Sequence, residues 1–219
     1  LAGDGSIAAW AIRALADHET QLARVPAEPL LAGVKSSDPR TRLESVVALT
    51  RLNRGEHAAA LANLVGDADP VIAHTAVKGL VRLRGSAAAF AVLDRADTPS
   101  AARTGALRVL QALHEEPVVD GLITRLKREA DSAQRDDLVR ALCRLYYVEG
   151  KWAGDGWGTR PDNRGPYYQP ERWAASAKIN AVLSELLDRT TGEAAVRLNA
   201  IFALHRVQPG DVIGRLIAL

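Results

Sequence analysis

Apolar residues recur along this chain at i, i+3, i+4 and i+7, the stripe of an amphipathic helix, with no strand-like alternation competing. Four cores repeat the same wording: Val46-Val47-Ala48-Leu49-Thr50-Arg51-Leu52, Ala76-Val77-Lys78-Gly79-Leu80-Val81-Arg82-Leu83, Ala106-Leu107-Arg108-Val109-Leu110-Gln111-Ala112-Leu113 and Leu138-Val139-Arg140-Ala141-Leu142-Cys143-Arg144-Leu145. Their paired leucines, 49/52, 80/83, 110/113 and 142/145, follow one another at intervals of 31, 30 and 32 residues. Leu204 in a fifth copy stands 62 residues after Leu142, two periods or one period with an insertion. Asp38-Pro39, Asp69-Pro70 and Thr98-Pro99 read as helix starts, the first residue accepting a bond from an orphan N–H and the proline having no N–H to waste. Ile7 to Ala16 reads as one more such helix, with Leu30 to Lys35 as its short partner. Further second helices are expected at 57–65, 86–95, 117–128, 173–189 and from Val212 onward.

Neither helix of such a pair can bury its stripe alone, so neighbours must stack. The expected fold is all-α, an α-solenoid or armadillo-type superhelix, over residues 1–219 as a single array. Its units fall near 1–36, 37–66, 67–96, 97–130, 131–189 and 190–219. The Asp-Pro starts, the Ala-Val-x-x-Leu-x-x-Leu core and the thirty-residue period resemble the short HEAT repeats of bacterial proteins, over about 1–145 and 174–219. The resemblance implies fold far more than function, because the matching residues are caps and core. A TPR reading lacks the period of about 34 and the paired aromatics of that repeat.

Composition changes the picture in one place. Only ten residues are aromatic, and seven of them lie between Tyr146 and Trp173. Within that span, residues 150–170 hold five glycines and three prolines, which excludes helix and marks a long insertion in the array. Trp152, Trp157, Tyr167 and Tyr168 must place their rings against something. Either they fill a groove on the solenoid itself, or, with Arg160, Asp162, Asn163 and Arg164, they form a surface for a protein partner, a neighbouring domain, or a carbohydrate or other small molecule; the two can coexist. The strings Trp157-Gly158-Thr159-Arg160-Pro161-Asp162 and Gly165-Pro166-Tyr167-Tyr168 are similar to a signature in HEAT regions of large planctomycete-type proteins. In those proteins a sugar-dehydrogenase-like propeller, HEAT repeats and a c-type haem domain share one chain. That likeness implies an extracytoplasmic docking or spacer module, although haem ligation is not expected here, since Cys-x-x-Cys-His is absent.

The remaining chemistry is thin. Cys143 is alone and reads as a small core residue, so no disulfide can form within the chain. The histidines His18, His57, His74, His114 and His205 sit on different repeats without metal-ligand pairing; His114, at a helix end, suits a positive charge near the dipole. Gly154-x-Gly156-x-Gly158 neither follows a strand nor opens a helix, serine-nucleophile motifs are missing, and nothing fixes the separation of Asp155 and Asp162. The chain therefore reads as a non-catalytic binding module without cofactor or metal. A formal charge of +2 does not argue for nucleic acid. Arg95, Arg125, Lys127, Arg128 and Arg189 on the second helices are interleaved with Asp94, Glu129 and Asp188, the look of a solvated face. No apolar run approaches the length of a membrane span. A start at Leu1 with no methionine, and an apolar stretch at the end, lead us to expect a piece of a longer protein.

Overall fold

The protein, described from a computed structural model, is ordered into two compact units, residues 1–113 and 114–219. Residues 5–151, 167 and 169–210 are described; Trp152, Trp157, Arg160, Asp162, Asn163, Arg164 and Tyr168 lie outside them.

The first unit contains α1 (Gly5–Asp17), a 3-10 turn (Glu19–Arg24), α2 (Glu28–Gly33), α3 (Pro39–Leu52), a second 3-10 turn (Gly55–His57) and α4 (Ala58–Ala62). It continues with α5 (Pro70–Arg82), α6 (Ser86–Leu93) and α7 (Ser100–Leu110). The long helices stack in order, α1 on α3, α3 on α5 and α5 on α7, while the short α2, α4 and α6 back them. Leu49, Leu80 and Leu110 are fully buried and their partners Leu52, Leu83 and Leu113 nearly so, which makes the repeating leucine pair the core of each layer. Asp38 accepts from the Thr41 N–H at 2.7 Å and Asp69 from the Val71 N–H at 2.8 Å, and proline follows each aspartate. Layers also approach closely: a Cβ on Gly105 would strike the Val65 carbonyl, and one on Gly66 would come within 2.5 Å of the Ala102 nitrogen. Arg42 ties layers together through a bidentate pair with Asp67 (3.0 and 3.1 Å) and two bonds to the Ser36 and Ser37 carbonyls.

Two local expectations need correction. Thr98 does not cap α7: its hydroxyl donates to the Val92 carbonyl at 2.6 Å, near the end of α6, and Pro99, in extended geometry, is the residue before the helix. The hydroxyl is turned back toward the end of α6, and the helix starts one residue late, at Ser100. The second helix expected over 57–65 is a 3-10 turn followed by the short α4.

The second unit contains α8 (Glu116–Arg128), α9 (Ser132–Leu145), β1 (Val148–Glu149), β2 (Pro170–Glu171), α10 (Ser176–Asp188) and α11 (Gly192–His205). Helix α9 is central, touching α8, α10 and α11. It has no proline, and Asp131 alone caps it, accepting from the Gln134 N–H at 2.8 Å. Leu138, Leu142, Leu145, Ile179 and Leu183 form the core with Val118 and Leu122. Burial pushes the Cys143 thiol up to about 12, so it is an inert core residue. Leu204, the counterpart of Leu142, is instead 72% exposed; the apolar stripe that follows it in sequence falls in residues 211–219, outside the described part.

Candidate interaction site at the base of the insertion

The insertion leaves the repeat at the C-terminal end of α9, where backbone carbonyls lose their helical partners. At two other long helices the end closes on itself. At α5 the Gly85 N–H returns to the Leu80 carbonyl and the Arg84 N–H to Val81; at α11 Val207 returns to Phe202 and Arg206 to Ala203. In both, the turning residue, Arg84 or Arg206, is left-handed. Helix α9 does not turn this way: Tyr146 keeps right-handed helical geometry and the chain runs on into β1.

Four successive carbonyls are consequently taken by side chains. The Tyr167 hydroxyl donates to Arg144 (2.7 Å), the Trp173 indole N–H to Leu145 (2.7 Å), the Ser176 hydroxyl to Tyr146 (2.7 Å), and His114 Nε2 to Tyr147 (2.9 Å). A carbonyl can only accept, so Nε2 carries the proton, and the same N–H lies 2.9 Å from the Tyr167 oxygen. Ser176 also accepts from the Trp173 backbone N–H at 2.8 Å, which locks the approach to α10. Each bond is neutral and is worth about 1 kcal/mol net, but stranding a buried carbonyl costs about 1–3 kcal/mol, so the set is held mainly by the penalty for losing a member.

The rings are organised with equal economy. The Arg144 guanidinium lies 4.5 Å over the Tyr167 ring, and His114 meets Tyr167 and Trp173 edge-on at 5.9 and 5.7 Å. Tyr146 and Tyr147 make a further edge-on pair at 4.7 Å. Burial lowers the pKa of His114, and nearby Arg144 lowers it further against the bond to Tyr147, which favours the cation. A partial positive charge at His114, as its place near a helix end suggested, is opposed by burial; α7 ends at Leu110 and the imidazole is half-buried. Burial likewise raises the Tyr167 phenol.

Next to this cluster the two arms of the insertion pair as an antiparallel bridge, Val148 opposite Glu171 and Glu149 opposite Pro170. The Gly150 N–H donates to the Gln169 carbonyl at 2.6 Å and the Gln169 N–H to the Glu149 carboxylate at 2.9 Å. A Cβ at Gly150 would sit 2.7 Å from that carbonyl, so the bridge needs glycine there. The helix expected to resume near Glu171 to Trp173 begins only at Ser176, because the strand and the Trp173–Ser176 bonds occupy the intervening residues.

Of the residues proposed for recognition, Tyr167 is thus placed in the cap. His114, Arg144 and Ser176 belong to the same constellation and were not singled out for it by sequence. The signal was weak: each stands at a repeat end, where a polar side chain is ordinarily solvated. Among the described residues no three His, Cys, Asp or Glu side chains converge as metal ligands, and no helix is long and apolar enough to cross a membrane.

Stacked helix pairs recurring at about thirty residues place the chain among all-α proteins of the solenoid class. Residues 27–111 match the family model described as HEAT repeats, and the chain carries a HEAT-like repeat domain. No curated protein matches it. Among solved structures, an engineered protein is similar at 16% identity and a TM-score of 0.43, over 94% of this chain and 92% of its own. Computationally designed armadillo repeat proteins for modular peptide recognition align at 13% identity and a TM-score of 0.39, over 92% of this chain and 94% of theirs. A designed armadillo repeat protein in complex with the peptide (KR)4 aligns at 12% identity and 0.37, over 91% and 92%.

Proposed function

We propose that this chain is a non-catalytic protein-interaction module, and that the insertion 150–170 is its specific contact surface. The observation that carries the reading is the fourfold capping of Arg144 to Tyr147 by His114, Tyr167, Trp173 and Ser176. Together with the Gly150–Gln169 bridge it fixes both ends of the insertion on α9. Anchoring the base of an insertion lowers the ordering cost of binding. Within this proposal Tyr167 anchors, while Trp152, Trp157, Arg160, Asp162, Asn163, Arg164 and Tyr168 make contact. The partner is a protein or a neighbouring domain of the same polypeptide, as the resemblance in the insertion implies; the single array of six units over 1–219 and the extracytoplasmic setting belong to the same proposal. Carbohydrate is the weaker reading, because the described ring of the set, Tyr167, already has a guanidinium on its face.

The test keeps the anchors and changes the contacts. A photo-crosslinking residue at position 157 is expected to give discrete protein adducts in extracts of the source organism. Joint replacement of Trp152, Arg160, Asp162, Asn163 and Arg164 by serine should abolish them while the helical circular dichroism is retained. Adducts that persist in the substituted chain would overturn the protein reading. Saturable quenching of tryptophan fluorescence on a glycan panel would replace it with the carbohydrate one.

A further inference from the structure

The first unit presents a second surface. Helices α1 and α3 are joined by three cross-pairs. Arg40 lies 4.3 Å over the Trp10 ring, Arg13 is 3.7 Å from Glu44, and Arg51 is 2.8 Å from Asp17. The two ion pairs line a groove of about 330 Å³ together with Leu43, Val47 and Val71. Val71 is 57% exposed, and α5 continues the same stripe through Thr75, Lys78 and Arg82.

Charge on these helices is lopsided. Asp17 and Glu44 are the only acids in α1, α3, α5 and α7, and both are engaged in the ladder. Lys78, Arg82 and, one period on, Arg108 are exposed and make no ion pair among the described residues. An apolar spot thus adjoins cations that lack counter-charges, at i+7 and i+11 from Val71. On α5 these separations are about 10 and 16 Å, two and three turns of a facing helix.

We propose that this face docks an acidic amphipathic helical segment of a protein partner. Its apolar stripe lies over Val47 and Val71, and its carboxylates meet Lys78, Arg82 and Arg108, as in other helix-in-groove recognition. A nucleic acid fits less well, because it has no use for the apolar floor. Every residue of this surface belongs to the first unit.

The experiment uses the full chain and a fluorescein-labelled helical peptide with leucine on one face and glutamate on the other, read by anisotropy. Binding should be saturable and weakened by salt, and absent for the same peptide with lysine in place of glutamate. Lys78→Glu with Arg82→Glu should weaken it about tenfold or more, Lys78→Gln with Arg82→Gln less, and Val71→Asp should weaken it without moving the melting temperature. The serine-substituted insertion should bind the peptide as the parent does. Failure of the peptide to bind, indifference to the α5 variants, or loss of binding in the insertion variant would each overturn the proposal. So would tighter binding of an oligothymidylate at the same residues, which would mark a nucleic-acid face.

Discussion

Ser176→Ala is the sharpest probe of the cap. The Ser176 side chain lies in a residue only 3% exposed, donates to the Tyr146 carbonyl at 2.7 Å and accepts from the Trp173 N–H at 2.8 Å. Alanine fills nearly the same volume, so the packing term is small and the loss is almost entirely polar. Two backbone groups lose their partner; a stranded buried group costs about 1–3 kcal/mol. Tyr146 is 2% exposed and its carbonyl bears the larger share, whereas half-buried Trp173 recovers part of its loss to water. The expected total is about 2–3 kcal/mol. Urea unfolding followed by circular dichroism should show the midpoint falling with an unchanged slope. Hydrogen exchange at the Gly150 amide, which donates across the bridge to Gln169, should accelerate in parallel if the cap holds the base of the insertion. A loss below about 0.5 kcal/mol, or an unchanged Gly150 amide, would refute the idea that these bonds anchor the insertion.

Three further outcomes are expected. His114 has its pKa lowered below 6.5 in the folded chain, so the unfolded chain binds its proton first; the contribution of His114 is fully present above that value and is lost as pH falls from about 6.5 toward the folded pKa, and a urea midpoint measured across this window should drop in the parent and drop less in His114→Gln, with the residual slope due to His205, whose pKa burial also lowers. Gly105→Ala should destabilise by about 2 kcal/mol, because the new methyl meets the Val65 backbone and not a flexible side-chain tip, and a melting temperature equal to that of the parent would contradict this. Arg206→Gly should stabilise by about 0.5–1 kcal/mol by relieving the left-handed conformation at the end of α11, measurable as a higher urea midpoint.

The long helices and the leucine pairs were legible because they rest on local rules: aspartate before proline starts a helix, and a repeated apolar stripe must be covered. Leu49, Leu80, Leu110 and Leu142 are all fully buried as their spacing requires. Thr98 was misread because the helix starts one residue later than the Thr-Pro pair suggests, at Ser100, while the threonine hydroxyl donates to the Val92 carbonyl at the end of α6. The lowered pKa of His114 could not be read from its place near a helix end, because its burial depends on Tyr167 and Trp173, more than fifty residues away. The aromatic cluster was visible in composition, but the Tyr167 hydroxyl and the Trp173 indole N–H donate to backbone carbonyls, which carry no sequence signal at all.

The cap also decides which experiments can test the insertion. In α5 and α11 the last carbonyls are satisfied by the chain's own turn, so whatever follows could be exchanged without cost to the helix. Helix α9 lacks that closure and borrows its donors from residues on the far side of the insertion and from His114. Deleting 151–169 would remove Tyr167 along with the contact residues, strand the Arg144 carbonyl and break the bridge at Gly150. Loss of binding in such a deletion could therefore come from a frayed α9 as readily as from a missing contact. Substitutions that spare Tyr167, Trp173 and Ser176 separate the two causes, since a contact role predicts lost adducts at unchanged stability, whereas a packing role predicts that stability falls first.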